Sequence, residues 1–375
     1  MKILIFYASY GGGHLNAAKS VNEWITTNKP DADVELIDCV KYVNKALEKI
    51  TTTAYKEMAK KMPWAWGKIY SDSQKGLLAH ISSRSNEILA INLLRLLRKK
   101  QPDFIISTHP FGSQMCSYLK RKKKITAKIA TIMTDFSPHA QWLVGHEHTD
   151  YYFVAHAKMK QYLHNHGIPE EKIFATGIPI SSRFLKQYNR KDIFEQFGLQ
   201  EGKQTILFFG GGEFGLGKTR TVEIFESFIN SNLPIQIIGI SGKNNKMKIA
   251  FEEIVAKYNK QDSAKILKFS NKVPELMSIA DLVVTKPGGL TTSESLASNL
   301  PMIIINPIPG QEEENAEFLE SMGIAVWIKN SDNPKKIIKN LLTNTEKLNE
   351  MKQNTNLLAK KHSTEDICKI LLEHI

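Results

Sequence analysis

His14 closes the run Tyr10-Gly11-Gly12-Gly13-His14, where an apolar stretch at residues 2–7 gives way to an amphipathic one at 15–27. Imidazole is the side chain whose ordinary pKa lets it take and return a proton near neutral pH. Glycines at a strand–helix turn let a ligand approach the backbone, and the free N–H groups of the next helix attract anions. The same spacing also fits a histidine that only caps a tight turn. A second glycine-rich turn, from Gly212 to Gly217 and on into Lys218 and Thr219, matches G-x-x-x-x-G-K-[ST] after an apolar run at 205–209. Its amides suit a phosphate, as in a P-loop NTPase. No apolar run ends in an aspartate placed like the Mg²⁺-holding Asp of those enzymes, because Asp281 begins its run. A P-loop ATPase or a nucleotide-binding regulatory module is the alternative from another class.

The stretch at 285–315 concentrates polar groups. Gly288 and Gly289 follow an apolar run, Thr291 or Thr292 is placed to cap a helix, and Glu294 falls in its first turn. A carboxylate there can accept the paired hydroxyls of a ribose as a charged acceptor. Gln311, Glu312 and Asn315 add the donors and acceptors that recognition of a polyol requires. A strand–turn–helix with solvated polar ends accounts for the same residues.

These groups need a scaffold, and the chain alternates strand and helix patterns throughout its 375 residues. Near-continuous apolar runs at 2–7, 104–107, 128–131, 151–154 and 173–175 predict one parallel sheet. Runs at 205–209, 235–240, 265–267, 282–284, 302–305 and 325–327 predict a second. Residues 41–100 read as helical pieces, and 88–97, apolar almost all round, are expected to pack on the sheet. Breakers at Gly177, Pro179 and nearby mark a boundary. The fold class is α/β, two doubly wound Rossmann-like domains facing across a cleft, with domains at 1–179 and 180–356.

Hydrophobic content of 42% and charged content of 23% are those of a soluble globular protein. No apolar run nears the ~20 residues that span a bilayer, and 1–8 is too short for a signal peptide. Cys39, Cys116 and Cys368 are too scattered for a zinc site or a disulfide framework, which suits a reducing cytoplasm. The net charge of +12 attracts polyanions. No nucleic-acid module is present in the pattern, so an anionic membrane surface is the expected partner. Trp64 and Trp66, on a Pro/Gly-broken segment flanked by Lys56, Lys60, Lys61 and Lys68, suit the headgroup layer. His146, Glu147 and His148 with Asp150 form no metal set, since i,i+2 histidines converge only on a strand. Asp31 and Asp33 read as a turn.

Two motifs resemble a known family. The G-G-G-H-x-x-A-A run from Gly11 to Ala18, and the stretch from Pro287 to Asn315, are similar to those of the glycosyltransferases that make glycosyldiacylglycerols, a group that includes bacterial diacylglycerol glucosyltransferases and plant monogalactosyldiacylglycerol synthases. More distantly they resemble the transferase that adds N-acetylglucosamine to a lipid-linked peptidoglycan precursor. The resemblance implies the GT-B architecture, with a last helix at about 357–375 crossing back to the first domain. It implies a catalytic base at His14, with Asp135 as helper or substitute. Gly12, Gly13 and His139 would border the acceptor, the last in a segment Thr134-Asp135-x-x-x-His139-x-x-Trp142. Donor binding would fall to Gly211, Gly212, Gly217, Lys218, Gly288, Gly289, Thr291, Glu294, Gln311, Glu312 and Asn315. The implied reaction is inverting transfer of a hexose, glucose in preference to galactose, from a UDP-hexose to diacylglycerol. It needs no cofactor or metal, and it runs at the inner face of the cell membrane, where the enzyme is peripheral. Transfer of N-acetylglucosamine to a polyprenyl-linked acceptor is the alternative in the same fold.

Overall fold

The computed structural model describes residues 1–9, 12–43, 77–211 and 218–373. Contacts divide the chain into two units, Met1–Ser182 with Pro309–Gln311 and Lys360–Ile375, and Arg183–Ile308 with Glu312–Ala359. Each unit holds one six-stranded sheet. Trp64 and Trp66 with their flanking lysines, and Tyr10, Gly11, Gly212 and Gly217, lie outside the described residues.

In the first unit β1 (Lys2–Tyr7), β2 (Asp33–Asp38), β3 (Phe104–Ser107), β4 (Lys128–Ile132), β5 (Tyr151–Phe153) and β6 (Ile173–Phe174) run in the order β2-β1-β3-β4-β5-β6. Neighbours are parallel, with Ile5 beside Leu36 on one side and Ile106 on the other. Successive side chains of a strand point to opposite faces. Leu4 and Phe6 therefore join a core with Leu93, Leu97 and Met115, while Ile3 and Ile5 join one with Val21, Ile25 and Ile367. Both faces are covered, so the strand reads as unbroken apolar sequence.

Leu93 and Leu97 belong to the helix Leu77–Lys100. That helix does pack on the sheet, but it is not buried all round: Ile91 is 60% exposed. Ile367 belongs to the helix Ser363–Glu373, which lies against the helix Gly12–Asn28 in the first unit. Hydroxyls fix its start. Ser363 Oγ donates to the Ile178 carbonyl at 2.8 Å and Thr364 Oγ1 to that of Ile180 at 2.7 Å.

The second unit carries β7 (Gln204–Phe209), β8 (Ile235–Ile240), β9 (Ala264–Leu267), β10 (Leu282–Thr285), β11 (Met302–Ile305) and β12 (Ala325–Ile328) in the order β12-β11-β10-β7-β8-β9. Phe208 meets the edges of Phe225 and Phe251, whose rings stack 4.0 Å apart. This aromatic cluster anchors the helices Lys218–Ile229 and Asn245–Lys257 on one face.

Strand order reverses between β1 and β3 in one sheet and between β7 and β10 in the other. Open α/β sheets bind ligands outside the carboxyl ends of the strands at such a reversal. Attention therefore falls on the chain leaving these four strands.

Two helix starts differ from the sequence expectation. The first helix begins at Gly12 rather than at residue 15, so Gly12, Gly13 and His14 are its first turn. The helix Gly289–Ala297 takes Gly288 as its N-cap, with extended backbone and no side-chain cap. Glycine serves at that position almost as well as a hydroxyl residue. Thr291 and Thr292 thus lie inside the helix and neither caps it, and Glu294 falls in its second turn.

Candidate functional site

At the reversal in the first sheet, the turn after β1 meets the turn after β3. The Thr108 amide donates to the Phe6 carbonyl at 2.9 Å, continuing the ladder. Its hydroxyl donates to the His14 carbonyl at 2.9 Å. Its own carbonyl lies 2.7 Å from His14 Nδ1. A carbonyl only accepts, so Nδ1 carries the proton and Nε2 keeps its lone pair. Among the described residues Nε2 has no partner. Burial pulls the His14 pKa below the ordinary histidine range, while the Asp135 carboxylate and the Thr108 carbonyl act against that. The result is a neutral, oriented imidazole with one basic nitrogen available.

Its surroundings are organised for that state. His109 meets the His14 ring edge-on at 4.7 Å. It caps the helix Pro110–Arg121, where its Nδ1 accepts from the Phe111 amide at 3.3 Å. Burial, and then the neighbouring His14 and His139, hold His109 well below its usual pKa. The Asp135 carboxylate accepts from the Trp142 indole N–H at 3.0 Å and lies 3.6 Å from His139 Nε2. Asp135, His139 and Trp142 are all buried. The chain thus brings together His14, Asp135 and His139. Gly12 sits on the open side, where an added Cβ would meet only Asn16 at 3.9 Å. His146 to His148 form one 3-10 turn, and Asp150 is occupied by Lys120 and by the Ile129 amide at 2.7 Å.

In the second unit the corresponding reversal is flanked by Gly210 and Gly211 after β7 and by Lys286 to Gly289 after β10. A Cβ at Gly210 would come within 2.8 Å of the Phe251 ring, and Gly211 has φ +110°, which side chains resist. Lys218 opens the next helix and is exposed. Around Gly288 a Cβ would meet nothing within 4 Å, so the turn presents bare backbone to open space. Asn315 is buried and donates from Nδ2 to the Pro287 carbonyl at 3.0 Å, which holds this turn in place. Glu312 accepts from the Ile308 amide at 2.7 Å. Both therefore shape the loops as well as offering polar atoms. Gln311 begins the helix Gln311–Ser321.

Lys286 and Glu294 lack an ion pair or side-chain hydrogen bond among the described residues. Lys286 is half-buried, and burial lowers its pKa against the raising field of Glu312. Glu294 keeps some contact with solvent, yet crowding by protein pushes its carboxyl up to about 8. The carboxyl thus favours its neutral form near pH 7. That corrects the expectation of a charged acceptor: desolvation without a nearby cation leaves the proton on.

Phe269 escaped the sequence reading. It lies just past the carboxyl end of β9 and is 69% exposed. An aromatic ring between Lys268 and Ser270 after a short strand was the available signal. Asp281 settles another point. Its carboxylate accepts from the Thr205 amide at 2.8 Å, at the starting ends of β7 and β10 and away from the glycine-rich turns. It cannot serve a P-loop.

Both units match known protein families. Residues 14–180 match the family model of monogalactosyldiacylglycerol (MGDG) synthase, and 205–369 that of the glycosyltransferase family 28 C-terminal domain. The chain is 30% identical to a processive diacylglycerol beta-glucosyltransferase of Bacillus licheniformis, over 99% of this chain and 94% of the relative. The Bacillus pumilus protein of the same name gives the same three figures. Among solved structures, Acinetobacter baumannii MurG superposes with a TM-score of 0.66 at 14% identity, covering 99% of both chains. Anabaena Alr3699/HepE in complex with UDP gives 0.58 at 13% identity over 100% of both. These structures share the GT-B fold with this chain.

Proposed function

The chain belongs to the family of the processive diacylglycerol beta-glucosyltransferases, and from that premise we propose that it transfers glucose from UDP-glucose to the free hydroxyl of diacylglycerol. The observation that carries the reading is the His14 imidazole, with its proton held on Nδ1 by the Thr108 carbonyl and its Nε2 unengaged. In a single displacement the acceptor oxygen forms its bond to the anomeric carbon and the acceptor proton passes to His14 Nε2. The bond from that carbon to the diphosphate oxygen breaks, and its electron pair leaves with UDP. One displacement inverts the anomeric configuration.

The imidazolium formed in this step is stabilised by the Asp135 carboxylate and the Thr108 carbonyl. Charge on the departing UDP is met by backbone amides of the Gly288–Gly289 turn and by Lys218, so the step runs without a metal. The protonated Glu294 carboxyl can donate to one ribose hydroxyl and accept from the other. Gln311, Glu312 and Asn315 contact or position groups around the hexose.

The acceptor lies in a bilayer, and the enzyme works at the inner, anionic face of the cell membrane. No helix among the described residues is long and apolar enough to cross it. Exposed Arg121, Lys122, Lys123 and Lys124 support surface attachment. Incubation with diacylglycerol and labelled UDP-glucose or UDP-galactose, followed by separation of the lipids, tests the reading. Label in glucosyldiacylglycerol is expected, and label in no lipid with either donor overturns it.

A further inference from the structure

Thr134, just past β4, places its hydroxyl oxygen 3.0 Å from His14 Nδ1. That nitrogen already faces the Thr108 carbonyl at 2.7 Å. Because a carbonyl cannot donate, the single Nδ1 proton is shared between two oxygens, and the Thr134 hydroxyl accepts from it. Thr134 is 5% exposed, so little water competes for the contact. The Thr108 hydroxyl meanwhile holds the backbone of the same histidine at its carbonyl, and His109 closes on the ring edge. Two oxygens from two strand ends thus converge on one nitrogen, and no described residue engages the other.

We propose that Thr134 is a positioning residue for the transfer reaction, acting through His14 as a second acceptor on Nδ1–H that raises the basicity of Nε2. This rests on His14 being the base. A hydrogen bond from Nδ1–H strengthens when the ring becomes an imidazolium, since its donor then carries charge. The Thr134 oxygen therefore stabilises the state formed during transfer more than the resting one, and only such differential interactions accelerate the chemical step. Removing the oxygen leaves the Thr108 carbonyl in place, so the tautomer persists while the ring becomes less basic. Valine has the shape of threonine without the acceptor, and serine retains the acceptor without the methyl.

The test combines kinetics with the tautomer itself, using the full chain. Thr134→Val is expected to lower kcat on the order of tenfold with KM for UDP-glucose unchanged. The acid limb of its kcat/KM profile should move to lower pH, and Thr134→Ser should restore both. With [15N]histidine-labelled protein, the His14 signal (assigned by its loss in His14→Gln) should show a proton on Nδ1 in the wild type. It should titrate at lower pH in Thr134→Val. An unchanged His14 titration in folded Thr134→Val overturns the proposal, whatever the kinetics. A shifted titration with full activity in His14→Ala instead overturns the assignment of the base and leaves the hydrogen-bond clamp standing.

Discussion

His14 Nδ1 lies 2.7 Å from the carbonyl oxygen of Thr108, a residue 94 positions further along the chain. The contact joins the turns that leave β1 and β3, the two strands between which the first sheet reverses its order. It decides which ring nitrogen is basic, and so ties the topology of the sheet to the direction of proton transfer.

Replacing His14 by Ala should lower turnover on the order of a hundredfold or more, because a positioned general base is lost. UDP binding, assigned to the second unit, should survive. In the wild type the acid limb of kcat/KM should fall below the ordinary histidine range, since burial lowers the His14 pKa. Steady-state assays across pH, with UDP titration calorimetry of the variant, check both parts. Near-wild-type turnover would reduce His14 to a cap and make Asp135 the leading base.

Asp135→Asn separates those roles. The carboxylate raises the His14 pKa by its charge. Its neutral isostere can still accept from the Trp142 indole, so local structure should hold. Turnover should fall roughly tenfold, less than for His14→Ala, and the acid limb should shift to lower pH. A loss as large as that of His14→Ala, with no shift of the limb, would point to Asp135 as the base itself.

Glu294 gives two readouts. With its carboxyl pushed up to about 8, the group is protonated near neutral pH. Glu294→Ala should weaken UDP binding by ~1–3 kcal/mol, as expected for losing two neutral hydrogen bonds, whereas Glu294→Gln, which also donates and accepts, should lose far less. Stability follows the same shift. The folded state holds the proton between about 4.5, the ordinary value, and about 8, while the unfolded chain has released it. The folded state then binds more protons, so stability declines as pH rises through that window. Thermal melts should show Glu294→Gln gaining on the wild type from pH 5 to pH 9. Parallel melting curves at all pH values would mean that the carboxyl is not desolvated.

Much of this arrangement could be read in the chain and some could not, for definite reasons. β1, β3, β8 and β11 match their apolar runs at both ends because strands covered on two faces leave no polar alternation to blur them. The starts at Gly12 and Gly289 were missed because glycine disfavours helix in isolation, and packing overrides that preference here. His14 could be singled out by its motif. Its partners could not, since Thr108 and Thr134 lie 94 and 120 positions away and no local pattern signals the meeting. The proton on Glu294 was also hidden, because desolvation is a property of the folded surroundings rather than of spacing.

Attachment to the membrane is open to a direct test. Arg121, Lys122, Lys123 and Lys124 are exposed at the end of the helix Pro110–Arg121. Arg121 and Lys122 lie over the Tyr118 ring at 5.3 and 5.8 Å, which gathers their charge beside an amphipathic ring. Near an anionic surface each cation adds ~1 kcal/mol. Changing Arg121, Lys122 and Lys124 to Gln should then weaken binding to phosphatidylserine-containing liposomes by about 3 kcal/mol, roughly a hundredfold in affinity. Lys123 is left alone because its φ of +53° makes substitution there a test of backbone strain instead. Raising salt should mimic the triple variant in the wild type, since screening shortens the reach of exposed charges. Trp64→Ala/Trp66→Ala provides an independent arm: indoles at headgroup depth should matter even at high salt, where the lysines no longer do. UDP binding should be unchanged in every variant. Complete pelleting of the folded triple variant at low salt would show that this cluster does not face the bilayer.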